Sequence, residues 1–571
     1  MGSFRIEWSH EGEGMMATVP EPAFVHFNTH EVTNQPPPLL DYNLFTTDRP
    51  LMEAVAREGA SWAREELTTL GARLGSTEVI EWGFLANRHL PVLHAFDRFG
   101  NRRDEVEYHP AWHELLGLSI SHGLHTSPWA DPKPGAHVAR AAGLMMLVQI
   151  EAGVMCPTTV AYAAVPALRA QPEIAAEWTP RLLSRRYDKR FLPASQKVGA
   201  LISMGMTEKQ GGSDLRSNST RAVPLGRSGP GAAYRIVGHK WFFSIPMCDA
   251  FLVTAQAPGG LSCFLLPRFT PDGKVNGLRL QRLKDKLGNR ANASSEVEFH
   301  DAYAQLVGEE GRGVPVIIEM ANYSRLDCAL GSAAVMRQAV VQALHHCSHR
   351  QAFGRLLIEQ PLMSNVLADL AIESEAATAL VLHLARAYDR QEDPEEKAYR
   401  RLMTPAVKYW VCKRSPGFTA EALELLGGAG YVEESIMPRL YREAPLNSVW
   451  EGSGNVMCLD VQRALQTRTG SVERLLGELR AVRGADARLD RFVAALEPDL
   501  TPDGAATGGR RLVERMVLAL QGALLVRHAP SSLADAFCAS RLEGGWSGAY
   551  GTLPAGLDLR AIVERARPVG S

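Results

Sequence analysis

Residues 234–267 read YRIVGHKWFFSIPMCDAFLVTAQAPGGLSCFLLP, and this stretch decides the fold class. Tyr234-Arg235-Ile236-Val237, Phe251-Leu252-Val253-Thr254 and Ser262-Cys263-Phe264-Leu265-Leu266 are short runs rich in β-branched and aromatic residues, a composition that suits a pleated, half-buried surface. Pro258-Gly259-Gly260 separates the last two runs, and Pro271-Asp272-Gly273 makes a second break downstream, as turn residues do. Glu296-Val297-Glu298-Phe299 then alternates polar and apolar residues, the period of a strand with one buried face. Residues 201–305 are therefore expected to form an antiparallel sheet domain.

The texture changes on both sides of this block. From about 50 to 200, apolar residues recur three and four apart, as at Leu51, Ala54, Val55 and Trp62, which predicts helices. Beyond Val314 the helical period returns over 331–346 and 361–388, the latter opening on a proline suited to a first turn. The charged run 390–397 reads as a solvated loop or helix start. A last region of about 100 residues follows Leu465, helical at both ends and broken at Pro498, Pro502 and Gly508-Gly509. The expected order is a mobile extension at 1–29, a helical domain at 30–200, the sheet at 201–305, a helical bundle at 306–467 and a C-terminal helical domain at 468–571. The fold class is mostly α with an inserted antiparallel β-domain.

Composition sets the limits on function. The 571 residues are 46% hydrophobic and 22% charged, enough apolar material for several cores and too much for disorder or a disulfide framework. With 61 Lys plus Arg against 63 Asp plus Glu the formal charge is -2, so only a local patch could hold nucleic acid. Cys156, Cys248, Cys263, Cys328, Cys347, Cys412, Cys458 and Cys538 lack the close CxxC pairing of zinc or dithiol sites, and read as reduced, packed thiols of a cytoplasmic protein. No metal is expected. The longest apolar candidate for a membrane span, 143–165, is interrupted by Gln149 and Glu151 and reads as a buried helix.

Five segments carry chemistry. In Met206-Thr207-Glu208-Lys209-Gln210-Gly211-Gly212-Ser213-Asp214 the paired glycines allow close backbone approach and Thr207 and Ser213 offer hydroxyls; taken alone it reads more readily as a polar turn, and no GK[ST] follows to make it a P-loop. Trp241-Phe242-Phe243-Ser244 sets three aromatics beside a hydroxyl, either core or a strip against a flat ring. Arg350 in His349-Arg350-Gln351-Ala352-Phe353-Gly354 is either a pyrophosphate ligand or an ordinary helix-end charge before a glycine cap. Leu426-Gly427-Gly428-Ala429-Gly430-Tyr431 follows a helical stretch and so lacks a Rossmann context. In Val449-Trp450-Glu451-Gly452-Ser453-Gly454-Asn455 a desolvated carboxylate would be a base of raised pKa, and an exposed one a mere loop residue.

In this order, with a sheet domain between helical ones, the five segments resemble the acyl-CoA dehydrogenase superfamily of flavoproteins from about Pro110 to Leu465. The strings MTEKQGGSD, GHKWFFS, RLKDKLGNRANAS, RLYREAPLNSVWEGSGNVMCLDVQR and THEVTNQPPPLL narrow the resemblance to the AidB-like branch, known for the adaptive response to DNA alkylation, from about His30 onward. The resemblance implies a helical, β-barrel-like and helical-bundle architecture with an added C-terminal helical domain, binding FAD without a covalent link. It implies flavin contacts from Met206, Thr207, Gly212, Ser213, Phe242, Phe243 and Ser244, and from Gly452, Ser453 and Asn455 after the Trp-Glu turn. Arg350, Phe353, Gly427, Gly428 and Gly430 match elements that reach the adenine and pyrophosphate side across a subunit interface, which implies a homotetramer built as a dimer of dimers.

By the same resemblance Glu451 is the base that removes the α-proton of an acyl-CoA thioester while hydride leaves the β-carbon for flavin N5. A subset of the superfamily draws its base from an earlier helix, and the matching position here is Ser324. Two departures stand out. Ile245-Pro246 replaces the usual turn after the aromatic strip, so the substrate loop is expected to differ. The region from Arg463 onward holds 15 Arg, no Lys and 12 acidic residues, a balance of +3. In the AidB branch this region is associated with double-stranded DNA, and Arg463 matches a basic position near that surface; Arg468, Arg474, Arg510 and Arg511 join it only because they are local. The open functions are an AidB-like DNA-binding flavoprotein with dehydrogenase-type chemistry, a metabolic acyl-CoA dehydrogenase for a short branched substrate such as isovaleryl-CoA, and a flavin-binding scaffold with neither activity.

Overall fold

The computed structural model describes residues 29–467, 470–545 and 548–568. The chain divides into two units, Met1–Gln35 and Pro36–Ser571. Of the first only 29–35 is described, an irregular segment, so the expected extension at 1–29 lies outside the described residues except for its last position.

The second unit starts with helices from Arg49–Arg57 to Pro172–Leu182. The apolar stretch 143–165 falls on two buried helices, Ala136–Ile150 and Met155–Leu168. They are parted at Glu151, whose carboxylate accepts a hydrogen bond from Gly153 N at 2.8 Å and so caps the short turn between them. A hairpin, Val92–Phe96 with Arg102–Glu107, interrupts this otherwise helical region. Its sequence gives little strand signal because Arg102–Glu107 is almost wholly charged; tertiary docking makes it a strand. Buried Asp104 accepts from Leu280 N at 2.8 Å, fastening the hairpin to the sheet.

The sheet has seven strands: Ile202–Gly205, Arg221–Pro224, Ala233–Ser244, Ala250–Ala257, Gly260–Pro267, Leu278–Leu283 and Ser294–Val307. Five of them close into a ring, because Ala250–Ala257 pairs with Gly260–Pro267 on one edge and with Arg221–Pro224 on the other. The sheet is not wholly antiparallel as expected. Ile202–Gly205 runs parallel to Ala250–Val253, and Arg221 pairs in parallel with Gln256. The chain between these partners includes other strands of the ring, long enough for the crossover a parallel pair needs.

The bundle comprises Gly313–His349, Pro361–Ala387, Pro394–Glu424 and Gly454–Gln466. Its first helix begins well before the expected start, because buried Ser324 and Asp327 break the apolar period while facing partners inside the protein. Asp327 meets Arg140 in a buried ion pair and accepts from Thr159 Oγ1 at 2.7 Å. The run 390–397 does start a helix: Asp393 caps it, accepting from Glu395 N at 2.9 Å.

Beyond 470 the helices are not an appendage. Pro502–His528, kinked at Gly508, packs on three helices of the bundle. Arg541 pairs with Asp369 and Glu373, both buried, and Arg565 with Glu375 at 2.8 Å and Glu53 at 2.5 Å. Arg337 Nη1 donates to Ala566 O at 3.0 Å. All eight cysteines are buried and free. Among the described residues no helix is long and apolar enough to cross a membrane.

Candidate active site

The loop carrying Met206, Thr207, Gly212 and Ser213 leaves the end of strand Ile202–Gly205 and is held from beneath by Glu208. That fully buried carboxylate accepts from Lys240 Nζ at 2.7 Å, Ser219 N at 2.7 Å, Ser219 Oγ at 2.9 Å and Gln210 Nε2 at 2.8 Å. Burial opposes its charge, but Lys240 and the other donors overcome this and hold its carboxyl down at about 2. With the loop fixed, Met206 and Thr207 are half-buried and Gly212 and Ser213 exposed. A Cβ at Gly212 would lie 2.4 Å from Thr207 Oγ1, so the loop closes on the Thr207 side chain only because glycine stands there.

Trp241 N donates to Thr207 O at 2.8 Å, which lays the aromatic strip beside this loop. Its residues then diverge. Phe243 is fully buried inside the sheet domain, 4.3 Å from the Phe251 ring and 6.0 Å from that of Phe299. Only its backbone is left for a ligand, and its carbonyl already accepts from Ser295 Oγ at 2.9 Å. Phe242 is 49% exposed and Ser244 half-buried, so alternate residues at this strand end offer one aromatic face and one hydroxyl. A flat heteroaromatic ring fits that donor set.

Glu451 sits in a turn that the structure over-determines. It adopts φ of 56°, and Gly452 follows at 102°, a left-handed backbone that costs a non-glycine residue of order 1–3 kcal/mol. Buried Lys408 donates to Trp450 O at 2.9 Å and to Gly452 O, while Arg325 Nε donates to Glu451 O at 3.0 Å. Trp450 Nε1 donates to Asn447 Oδ1 at 2.8 Å, and Asn447 in turn to Ser332 Oγ at 3.2 Å. The Glu451 carboxylate accepts from Ser324 Oγ at 2.6 Å. Burial pushes its pKa above the usual carboxylate range, opposed by the Ser324 hydroxyl and the charges of Arg325 and Lys408. Cys156 connects this turn to the strip: its thiol touches Ser244 and Asn292, lies within electrostatic reach of Glu451, and is pushed up to about 11 by burial.

Past the turn, Ser453 is the exposed cap of helix Gly454–Gln466, and Asn455 is exposed on its first turn, accepting from Arg510 Nε at 2.9 Å. Arg510 thus braces this position from the C-terminal helices. Arg463, on the same helix, has a guanidinium 61% exposed and paired with Asp460 at 2.6 Å. Arg474 is instead enclosed by Glu396 and Glu478, and Arg468 lies outside the described residues.

A second group stands apart. Ser324 and Arg350 are 26 residues apart along Gly313–His349 and its cap, which at 1.5 Å per residue separates them by about 39 Å. Phe353 is the tip of the hairpin Gln351–Ala352 with Arg355–Leu356, 98% exposed with φ of 53°. Gly354 therefore belongs to a hairpin turn and not to a helix cap. Gly427 takes φ of 59°, and Gly430 packs so that a Cβ would meet Leu423 O at 2.3 Å. Gly428 has open space, and Tyr431 beside it is 80% exposed. At that separation Arg350 and Phe353 cannot serve the Glu451 of their own chain.

Lys408, Lys240, Cys156 and Ser294 were not singled out by sequence. A signal existed for Lys408, which interrupts a run of residues that the fold buries.

Three families match consecutive stretches of the chain: the adaptive response protein AidB N-terminal domain at 34–189, the acyl-CoA dehydrogenase middle domain at 203–302 and the acyl-CoA dehydrogenase C-terminal domain at 311–466. AidB of Escherichia coli is 50% identical over 521 residues, 91% of this chain and 95% of AidB. Acyl-CoA dehydrogenase family member 11 of Caenorhabditis elegans is 28% identical over 85% of this chain and 83% of its own length. The crystal structure of Caenorhabditis elegans ACDH-11 in complex with C11-CoA superposes with a TM-score of 0.80 at 26% identity, covering 89% of this chain and 93% of that one.

Proposed function

The chain belongs to the acyl-CoA dehydrogenase family, in the branch of AidB, and from that premise we propose that it is an FAD-dependent oxidoreductase in which Glu451 takes the α-proton of an acyl-CoA thioester. FAD, the cofactor of this family, would supply the hydride acceptor. Phe242 would lie against its ring, Thr207, Ser213 and Ser244 would offer it hydroxyls, and Gly212 and Asn455 would line its approach. The observation that carries the reading is Glu451 itself, locked in a left-handed turn by Lys408 and Arg325 with its carboxylate on Ser324. A base works best with a pKa near the working pH, and burial moves Glu451 in that direction. Anaerobic mixing with acyl-CoAs that include C11-CoA and isovaleryl-CoA is expected to bleach bound flavin, and Glu451→Gln to slow bleaching by about 10²–10⁴. No bleaching across the panel would sink the proposal.

Assembly follows from the second group. The distance between Arg350 and Glu451 supports a homotetramer in which the hairpin at Phe353 and the glycines at 427–430 complete the FAD site of a second copy. Exposed Phe353, Leu362 and Tyr431 are the apolar residues such an interface would cover. A monomeric profile in light scattering at micromolar concentration would contradict this. The setting we propose is cytoplasmic, in keeping with eight unpaired cysteines.

DNA binding in the response to alkylation is the second activity we propose, resting on the resemblance to the AidB branch, whose N-terminal domain is described as that of an adaptive response protein. The charge argument for it has narrowed, since among the described residues nine of the arginines from Arg463 onward are in ion pairs. Arg463 remains available, because an exposed pair three residues apart on a helix is worth only about 0.2–0.5 kcal/mol and a phosphate can displace Asp460. Duplex DNA should be retained in a salt-dependent way and more weakly by Arg463→Ala; equal retention by the variant would remove Arg463 from the interface.

A further inference from the structure

Behind Ser244 lies a cation that the reaction just described does not use. Lys286, in the segment between the strands Leu278–Leu283 and Ser294–Val307, donates from Nζ to Asn292 O at 2.6 Å and to Ser294 Oγ at 2.9 Å. Among the described residues no carboxylate lies within ion-pair distance of it. Burial lowers its pKa to about 8, only partly offset by Cys156 and Glu443, which leaves it mostly charged at neutral pH. Lys286 is half-buried, and a partly desolvated ammonium without a carboxylate partner is costly to keep; its nearest hydroxyl leads to the candidate flavin edge.

The direction of that lead follows from donor and acceptor inventory. An ammonium group has three N–H bonds and no lone pair, so Ser294 Oγ must accept from it. The other hydroxyl partner of Ser294 among the described residues is Ser244 Oγ, at 3.4 Å. Donating there, Ser294 fills one of the two acceptor sites of Ser244 Oγ, so the Ser244 proton cannot point back at Ser294 and is turned outward. Cys156 also touches Ser244, but as a neutral thiol its sulfur is a weak acceptor that competes poorly for this proton.

We propose that Lys286 is a positioning residue that, through Ser294, fixes the Ser244 hydroxyl as a hydrogen-bond donor to the flavin and thereby favours the reduced cofactor. The proposal rests on the FAD reading above. Both the relayed dipole and the positive charge lower the energy of an electron-richer ring in a low-dielectric site. Chains of hydrogen bonds that end on an ammonium are polarised in one direction, so the two contributions add in sign.

The test is the two-electron midpoint potential of FAD bound to the full-length protein, set by chemical reductant and not by acyl-CoA. Lys286→Met, close in volume, is expected to weaken the preference for reduced over oxidised flavin at least tenfold, a fall of about 30 mV. Ser294→Ala leaves the charge and cuts the relay, and should lower the potential by less. Adding Ser244→Ala to Lys286→Met should change little further. An unchanged potential in Lys286→Met with FAD still bound overturns the proposal. Where that variant fails to fold, an unchanged potential in Ser294→Ala does so. Because no thioester is involved, the outcome stands even if no acyl-CoA bleaches the flavin, whereas failure of the unaltered protein to bind FAD would remove both this inference and the reading beneath it.

Discussion

Replacing Ser324 by alanine isolates one hydrogen bond in the proposed mechanism. Ser324 Oγ lies 2.6 Å from Glu451 Oε2 and is buried, and its other acceptor is Ala321 O at 3.1 Å. A hydrogen bond to a charged group contributes about 1.5–3 kcal/mol. It favours the ionised carboxylate, so its loss leaves burial less opposed and raises the pKa of Glu451 further. At about 1.4 kcal/mol per factor of ten, the proton would bind Glu451 at least about tenfold more tightly in the variant. The base is active only when ionised, so kcat/KM on the acid limb of the pH profile should fall at least about tenfold while the alkaline plateau keeps its height. The assay is steady-state dehydrogenation, across pH, of whichever acyl-CoA bleaches the flavin, with a redox dye as acceptor. A uniform loss at every pH would mean that Ser324 only packs against the turn. An unmoved acid limb would mean that its proton stays on Ala321 O, and either result refutes the tuning role.

Other perturbations test the scaffold. Lys240→Met leaves Glu208 buried without its cation, which should cost about 3–5 kcal/mol and be read as a lower melting temperature with weakened FAD binding; the double variant Glu208→Gln with Lys240→Met should recover much of the loss. Arg541→Ala strips Asp369 and Glu373 of a buried partner, and limited proteolysis should then cut the region beyond 470 faster if those pairs hold it to the bundle. The His383 imidazole bridges Glu58 at 3.3 Å and Glu478 at 2.9 Å, with Arg57, Arg386, Arg474, Tyr399 and His528 around it. Burial opposes charge on all three, but mutual pairing wins, raising His383 above 6.5, lowering Glu58 to about 2 and lowering Glu478 below the usual carboxylate value. The histidine's share of stability is full below pH 6.5 and is lost as pH rises through its folded value; the carboxylates' share is full above about 4.5 and is lost toward 2. Melting temperature should therefore decline from pH 6 to pH 9, and His383→Gln should flatten that decline; an equal slope in both proteins would count against the bridge.

Legibility of the fold followed the range of the interactions that made each element. The strands Ala233–Ser244, Ala250–Ala257, Gly260–Pro267 and Ser294–Val307 announce themselves because alternation and turn residues are local, whereas Leu278–Leu283 was not singled out by sequence. The pairing of Ile202–Gly205 with Ala250–Val253 is parallel and non-local, so no window of sequence contains it. The hairpin ending in Arg102–Glu107 owes its existence to Asp104 reaching Leu280 N, a contact no propensity encodes. In the candidate site, Glu451 and the glycine loops were visible as strings. Of the groups that govern Glu451, Ser324 was visible only as the position matching the superfamily's alternative base, and the roles of Arg325 and Lys408 were not visible, because all three reach it from other helices. Lys408, set within Ala406-Val407-Lys408-Tyr409-Trp410-Val411, did leave a trace, since a lysine in an apolar helical run demands a buried acceptor.

Charge obeys the same logic, and it bears hardest on the DNA reading. Counting residues after Arg463 gives a basic balance, yet a count cannot say where a guanidinium is neutralised. Arg541 meets Asp369 and Arg565 meets Glu53, acids that belong to distant parts of the chain. These arginines fasten the C-terminal helices to the bundle and the N-terminal helices, and their conversion into phosphate ligands would require undocking them. A surface able to take DNA must therefore be built from heads that are exposed and weakly held, of which Arg463 is one. Its helix also carries Asn455 on its first turn, braced by Arg510. A phosphate that displaced Asp460 from Arg463 would act on a residue also paired with Arg325, 3.0 Å away, whose Nε holds the Glu451 backbone. On the DNA reading, DNA and the base turn would share Asp460, and duplex binding should alter the acid limb of the dehydrogenation profile in the unaltered protein but not in Asp460→Asn; identical profiles with and without DNA would show the two surfaces to be independent.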